Sequence, residues 1–290
     1  METIPYDKRS GKIWFNANLV DWEKANLHIL SHGLHYASCV FEGERVYDGE
    51  IFKLEEHTKR LFNSASILDL DIPYSVEEII KITLGLIKKQ NIKDGYIRPV
   101  AWRGSEKMAI SAIDGSTNLA IAAWKWPSYF SPDQMLKGIK LTISEWKRPA
   151  PNSAPTDSKA AGLYMICSLS KHAAEKKGFD DALMLDYRNY IAEATGANIF
   201  FVKDNKLFTP IPDCFLNGIT RQCVIKIAKK LKIEVVEDHF KLNFLEGCDE
   251  VFLTGTAVEI TPVSLIDVFK FEVGEVSKLL IHEFQKLVRI

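Results

Sequence analysis

A mixed α and β fold in two unequal domains is predicted by three observations. Alternating β-rich runs and runs of helical period are interspersed along the whole chain rather than segregated into blocks. A break rich in proline and aromatic residues, Lys125-Trp126-Pro127-Ser128-Tyr129-Phe130-Ser131-Pro132, interrupts them near the middle. The length of 290 residues and the hydrophobic content of 47% suffice for more than one compact core. The expected division is a smaller α/β domain over 1–125, an interdomain linker over 126–135 and a larger α/β domain over 136–290, with a ligand cleft between the two.

In the first domain, Val40 to Tyr47 alternates and is β-rich, and Asp48-Gly49 offers a two-residue hairpin turn into Ile51-Phe52. Ser75-Val76-Glu77-Glu78 reads as a capping box, followed by apolar residues at helical spacing to Lys88. Strands are expected over Tyr96 to Trp102 and Leu119 to Trp124. Beyond the break the pattern gives a strand at Ile139 to Trp146, a proline-rich loop at 149–155 and a small-residue helix from Gly162 to Lys177. Strands near Ala182 to Asp186 and Asn198 to Val202 come next. Gly218-Ile219-Thr220 opens a helix to Leu231, strands are expected near Val235 and Val251, and a last amphipathic helix covers Val276 to Val288.

Composition removes several classes of function. A formal net charge of -1 argues against a partner held by bulk electrostatics, so neither nucleic acid nor an anionic membrane surface is expected and a small ligand fits better. The five cysteines are odd in number, scattered and without a CxxC pair, which suggests neither a disulfide framework nor a thiolate metal site and points to a reducing compartment. Met1 to Ser10 is polar, with no apolar stretch of the secretory kind, and no apolar run approaches the ~20 residues of a spanning helix. A cytoplasmic location is the expectation.

Motif absences narrow the chemistry further: there is no GxGxxG after a strand, no GxxxxGK[ST], no GxSxG and no HExxH. His28, His32 and His35 could align on one helix face, but Leu27, Ile29, Leu30 and Leu34 around them favour packing histidines over a metal site. Two segments could hold an anion. Leu216-Asn217-Gly218-Ile219-Thr220-Arg221 places glycine and threonine where a helix begins, and Thr254-Gly255-Thr256 is a hydroxyl-bearing turn after an apolar strand. Taken alone, each reads more simply as a helix cap or a strand-ending turn. Lys159 stands alone among small residues in Pro155 to Tyr164, and a desolvated lysine there could act as a Schiff-base amine, although most lysines are surface charges. Glu193 is a lone acid in a small-residue turn between apolar strands, where a buried carboxylate needs a cationic partner.

Ordered along nearly the whole chain stand Ser31-His32-Gly33-Leu34-His35-Tyr36 and Val40-Phe41-Glu42-Gly43, His57-Thr58-Lys59-Arg60-Leu61, Tyr96-Ile97-Arg98-Pro99, the Lys159 segment, Ala192-Glu193, Gly196-Ala197-Asn198-Ile199-Phe200, Asn217-Gly218-Ile219-Thr220-Arg221, and Thr254-Gly255-Thr256-Ala257-Val258-Glu259-Ile260-Thr261-Pro262. Together they resemble the fold-type IV pyridoxal-phosphate-dependent enzymes, the D-amino-acid-aminotransferase-like fold, and most closely the branched-chain-amino-acid aminotransferases. The resemblance implies amino transfer between leucine, isoleucine or valine and 2-oxoglutarate, with pyridoxal 5'-phosphate as cofactor and no metal. It implies that Lys159 carries the cofactor through a Schiff base and moves the proton, that Glu193 pairs with the pyridine nitrogen, and that Tyr164 bonds the phenolic oxygen. Arg60, Gly218, Ile219, Thr220 and Thr256 would hold the phosphate, accounting for both anion signals.

For the substrate, the same resemblance implies an aromatic wall of Phe41, Trp126, Tyr129 and Tyr164, with Tyr36 reaching across from a second subunit. Tyr96, Arg98 and the Thr256-Ala257 backbone would handle carboxylates. The partners implied are amino acids and 2-oxo acids, in a homodimer or dimer-based hexamer. This sequence departs from the pattern at Ala197, where glutamate is usual, at Ala194, where glycine is usual, and at Glu44, where an apolar residue is commoner. The cation pair Arg103 and Lys107 is also unusual. Relatives on the same fold include D-amino-acid aminotransferases, (R)-amine transaminases and aminodeoxychorismate lyases, and the Ala197 departure raises a remoter alternative, a non-catalytic cofactor-binding module.

Overall fold

The computed structural model describes residues 4–126 and 132–289, and in it the chain folds into two compact units. Of the described chain, the first holds residues 4–126 together with Ser158–Gly162; the second holds 132–157 and 163–289. The short return of 158–162 to the first unit is absent from a linear division of the sequence.

In the first unit the elements run β1 (Lys12–Phe15), β2 (Asn18–Asp21), α1 (His32–Tyr36), β3 (Cys39–Phe41), β4 (Glu44–Tyr47), β5 (Glu50–Ile51), α2 (Leu54–Ile67), α3 (Val76–Lys89), β6 (Gly95–Arg103) and β7 (Thr117–Lys125). The strands make one antiparallel sheet in the order β2-β1-β7-β6-β4-β5, with β3 also paired to β6. The expected hairpin forms between β4 and β5, and Asp48 (φ 51°) and Gly49 (φ 95°) both take the left-handed conformation that such a turn needs. The expected single strand over Val40 to Tyr47 is split at Glu42-Gly43. A Cβ at Gly43 would lie 1.9 Å from the Tyr96 hydroxyl, so a bare glycine is what lets the Tyr96 ring close on β4.

The Ser75 capping box is present in full and starts α3 one residue later. One face of the sheet, through Val40, Val46, Ile97, Leu119 and Ile121, forms a core with Leu61 of α2 and Ile79 and Leu86 of α3. The opposite face carries Tyr96, Arg98, Val100 and Trp102 by strand alternation. There it borders an apolar cavity of about 490 Å³ lined by Phe15, Leu27, Leu34, Val100, Trp102 and Arg98, among others.

The second unit runs α4 (Pro132–Lys137), β8 (Ile139–Ile143), α5 (Tyr164–Lys176), β9 (Asp181–Leu185), β10 (Ile191–Ala194), β11 (Asn198–Lys203), β12 (Lys206–Pro210), α6 (Ile219–Lys230), β13 (Val235–Asp238), β14 (Glu250–Gly255), β15 (Glu259–Ile266), β16 (Phe269–Lys270) and α7 (Glu275–Val288). The path β10-β9-β8-β15-β14-β11 is closed by a further pairing of β10 with β11, where Glu193 faces Asn198. The core of this closed sheet is aliphatic and aromatic, with Leu141, Leu183, Ile199, Phe201, Val251 and Val263 among its fully buried residues.

Three expectations for this unit need correcting. β8 ends at Ile143 instead of Trp146, because the Ser144 hydroxyl accepts the Trp146 amide at 3.0 Å and turns the chain out of the sheet. Glu193 lies within strand β10, and the turn follows it at 195–197. α4 occupies part of the segment expected as linker. No helix of the described residues is long and apolar enough to cross a membrane.

Candidate active site

Within the first unit, the sequence-predicted residues Phe41, Arg60, Tyr96, Arg98 and Trp126 gather around Lys159. The Lys159 segment is tied down by backbone: its carbonyl accepts the Phe41 amide at 3.2 Å, and its own amide donates to the Ser64 hydroxyl at 2.9 Å. The Lys159 Nζ sits 5.1 Å from the centre of the Phe41 ring, and the Arg98 guanidinium lies 4.7 Å from the same ring. Arg98 also approaches the Tyr96 ring at 5.4 Å and donates weakly to its hydroxyl at 3.4 Å. Trp126 stacks at a tilt on Tyr96, with centroids 4.9 Å apart. Burial, with the Arg60 charge close by, brings the Lys159 amine down to about 8, against the opposing pull of Glu42. An amine in that range is a nucleophile and a base near neutral pH, which a solvated lysine is not.

Arg60 is held by an acid that the sequence reading did not assign. Glu42, fully buried, accepts Nε of Arg60 at 2.6 Å and a second guanidinium nitrogen at 2.9 Å, along with Nδ1 of His57 at 2.8 Å. Burial alone would raise the Glu42 carboxyl, but the Arg60 charge and the hydrogen bonds from His57 and Arg60 hold it well below the usual range. The pair spans 18 residues of sequence, and its only local signal is an acid interrupting an apolar β run.

Glu44, two residues on, is buried as well. Burial together with the neighbouring Glu42 charge pushes its carboxyl well above the ordinary value despite Arg60. A raised folded value means that the folded state keeps a proton the unfolded chain gives up, so the stability tied to this group is intact at low pH and lost as pH rises past about 4.3. Glu44→Gln is therefore expected to raise the thermal midpoint by a few degrees at pH near 8 and by little at pH near 4, read by differential scanning calorimetry. An unchanged midpoint across that range would contradict the assignment of a neutral buried acid.

Three of the other departures, Arg103, Ala194 and Ala197, have structural roles. Arg103 donates to the carbonyls of Asp69, Ala112, Ile113 and Gly115, bracing the loop after β6. Ala194 and Ala197 are buried members of the second unit's core.

In the second unit, Glu193 is buried with Nε of Arg148 at 3.4 Å from Oε1, and the Asn198 amide reaches its other oxygen at 3.4 Å. Arg148 and Asn198 are the partners of Glu193 that sequence reasoning did not assign. Arg148 precedes Glu193 by 45 positions, a separation without any local signature. α6 begins at Ile219, and no side chain caps its N-terminus. Its first-turn amides therefore remain available to an anion. The buried Arg221 fixes this entry, donating to Thr209, Asn217, Pro210 and Glu237. Thr256 and Ala257 lie in the turn between β14 and β15, and the preceding Thr254 hydroxyl is buried with no hydrogen-bond partner among the described residues. Tyr164 opens α5.

Two predicted residues stand apart. Tyr36, half-exposed on α1, packs on His32 at 4.5 Å; Tyr129 lies outside the described residues. The histidines do not make a ligand face: His28 precedes α1, while His32 is buried between Ser38 and the Ala109 carbonyl. Among the described residues the one grouping of metal-binding types is Asp186, Asp213 and Cys214, where Arg188 bridges both carboxylates.

A family profile described as amino-transferase class IV matches residues 39–266, more than three-quarters of the chain. The chain belongs to the class IV aminotransferase family. Relatives agree in detail. A probable branched-chain-amino-acid aminotransferase of Rickettsia felis is 48% identical over the full length of both chains. The crystal structure of the Escherichia coli branched-chain amino acid aminotransferase superposes with a TM-score of 0.93 at 39% identity, covering 97% of this chain and 95% of that one. The T.th. branched-chain amino acid aminotransferase, solved with pyridoxamine 5'-phosphate, gives a TM-score of 0.93 at 38% identity, covering 97% of this chain and 94% of that one. The fold-type IV architecture of this class IV aminotransferase follows from these matches. Its residues fit a phosphorylated pyridine aldehyde: an amine brought down to about 8, an acid with a cationic partner, an uncapped helix start and a buried unpartnered hydroxyl.

Proposed function

We propose that this chain transfers the amino group between a branched-chain L-amino acid (leucine, isoleucine or valine) and 2-oxoglutarate, giving the branched-chain 2-oxo acid and L-glutamate, with pyridoxal 5'-phosphate as cofactor. The observation that carries this reading is Lys159, a lysine with its amine brought down to about 8, at the position where the family pattern places the cofactor-bearing residue. When bound, pyridoxal phosphate supplies an aldehyde that takes the amino group and a ring that accepts the electron pair left at Cα.

The chain's own residues do the rest. Lys159, as a neutral amine, would take the Cα proton and return it on the other side of the transfer. Glu193 would keep a proton on the pyridine nitrogen, with Arg148 as its cationic neighbour at 3.4 Å. Tyr164 hydrogen-bonds the phenolic oxygen. Arg60 and the amides of Ile219 and Thr220, with the Thr220 and Thr256 hydroxyls and the turn at Gly218, hold the phosphate. Phe41, Trp126, Tyr129 and Tyr164 face an apolar side chain, while Tyr96, Arg98 and the Thr256-Ala257 backbone receive carboxylates. Arg98, stacked on Phe41 and Tyr96, gives the aromatic wall its cation, which suits a site that must accept both a leucine and a glutamate side chain.

Tyr36 is assigned to the site of a second copy, in a homodimer or dimer-based hexamer. Its exposure alongside Leu27, Ile29, Leu34, Ile110 and Ile113 supports that reading. The five cysteines lie in no disulfide among the described residues, and burial pushes four of them to about 11 or 12, which suits a cytoplasmic enzyme.

Incubation with L-leucine, D-alanine or aminodeoxychorismate, with keto-acid or pyruvate release as readout, tests the substrate class. L-Leucine with 2-oxoglutarate is expected to give 4-methyl-2-oxopentanoate and glutamate; turnover of D-alanine or aminodeoxychorismate alone would overturn the reading. The pH profile of cofactor loading is a second expectation. Only the neutral amine attacks the aldehyde, so the rate at which pyridoxal phosphate joins the cofactor-free protein should rise with pH and level off above about 8. A rate still climbing towards the ordinary lysine value of about 10.4 would contradict a desolvated Lys159.

A further inference from the structure

We infer that Asn198 is a positioning residue that ties Glu193 to the chain turn before α6, fixing the spacing between the two ends of the site that grip the ring nitrogen and the phosphate. The inference rests on the functional reading above, and it concerns a side chain with no role in that reading.

Asn198 sits where β10, β11 and β14 meet. In the antiparallel ladder it faces Glu193 on one side and Thr254 on the other, so the three side chains form a row across one face of the sheet. It is buried, and its amide bonds at both its nitrogen and its oxygen. Nδ2 donates to the Leu216 carbonyl at 3.0 Å and, at a longer 3.4 Å, to Glu193 Oε2; Oδ1 accepts the Gly218 amide at 3.1 Å. Two acceptors on one side and one donor on the other leave a single workable orientation of the amide.

The approach is close: a Cβ at Gly218 would lie 2.2 Å from Asn198 Oδ1, so the glycine at the helix N-cap is what lets the amide reach the turn. Gly218 takes an ordinary φ of −58°, so it is the contact with Asn198, not a left-handed backbone, that excludes a side chain there.

One rigid amide therefore holds both the acid and the residues that lead into Ile219 and Thr220. A shift at either end is transmitted to the other through hydrogen bonds of 3.0 to 3.4 Å. Aspartate would keep the acceptor for Gly218, but it would set a second carboxylate against Glu193 and the Leu216 carbonyl.

The test measures binding of pyridoxamine 5'-phosphate to the cofactor-free protein by fluorescence titration, in a double-mutant cycle. Asn198→Ala is paired with Glu193→Gln and, separately, with Thr220→Ala. Pyridoxamine phosphate is used because it forms no covalent link to Lys159, so that occupancy alone is read. Asn198→Ala is expected to weaken binding about tenfold, as expected for losing hydrogen bonds worth about 1.4 kcal/mol. The loss should shrink markedly in both partner backgrounds, because each already lacks one of the ends that Asn198 connects.

A side chain that merely supports the fold would lower the thermal midpoint and leave both cycles additive. Asn198→Asp, close in shape, guards against a variant that fails to fold: it should also lose affinity, and more so as pH rises and its carboxylate charges. Either variant, natively folded and binding pyridoxamine phosphate within about twofold of wild type, overturns the inference while leaving the functional reading intact. A wild-type protein that fails to bind pyridoxamine phosphate at all removes that reading and this inference with it.

Discussion

Lys159→Ala is expected to lower amino transfer from L-leucine to 2-oxoglutarate by roughly 10³-fold or more and to abolish the covalent attachment of the cofactor. Two independent losses combine. No other lysine is placed by the family pattern to join the aldehyde, and among the described residues no other lysine is recorded against the Phe41 ring. Alanine at this position keeps the backbone bonds to Phe41 and Ser64, so the fold should survive. The measurement is the coupled production of glutamate, alongside the absorption spectrum of the loaded protein with and without borohydride. A variant that retains a reducible absorption band, or activity within tenfold of wild type, would contradict the assignment. Exogenous small amines should restore part of the rate, since they can replace the lost base but not its tether.

Glu193→Gln is the second large effect, with kcat expected to fall by about 10²-fold or more and KM to change much less. An amide cannot hold a proton on the pyridine nitrogen, and without that charge the ring accepts electrons poorly just when Cα has lost its proton. The substitution also strands the buried Arg148 without its carboxylate. A loss of stability on the order of 3 kcal/mol is expected with it, so folding must be confirmed by circular dichroism at the assay temperature. Cofactor attachment at Lys159 should persist. Unchanged kcat in a folded variant would show that Glu193 serves only as the counter-ion of Arg148.

Local chemistry made much of the fold legible. The Ser75 capping box, the Asp48-Gly49 hairpin and the strands around Tyr96 and Leu119 are each written within fewer than ten residues, and each formed as read. Elements whose pattern is not local were missed: β1 and β2 are short, and β10 is so rich in small residues that it resembles a turn until β9 and β11 are in place on either side.

The site shows the same division. Lys159 and the Gly218-Ile219-Thr220 helix start stand out from their immediate neighbours. By contrast, the partners that tune the chemistry, Glu42 for Arg60 and Arg148 for Glu193, are joined only by tertiary structure. A buried charge announces that it needs a counter-ion, but the sequence does not say where that counter-ion lies. Ala197 illustrates the converse, since a residue that departs from the family pattern turns out to fill a core position.

The most direct test is to load the purified protein with pyridoxal phosphate, reduce it with borohydride, digest it and locate the modified peptide by mass spectrometry. A phosphopyridoxyl group on Lys159 alone is the predicted result. Modification spread over surface lysines, or a Lys159 peptide that emerges unmodified from a fully loaded sample, would contradict the account.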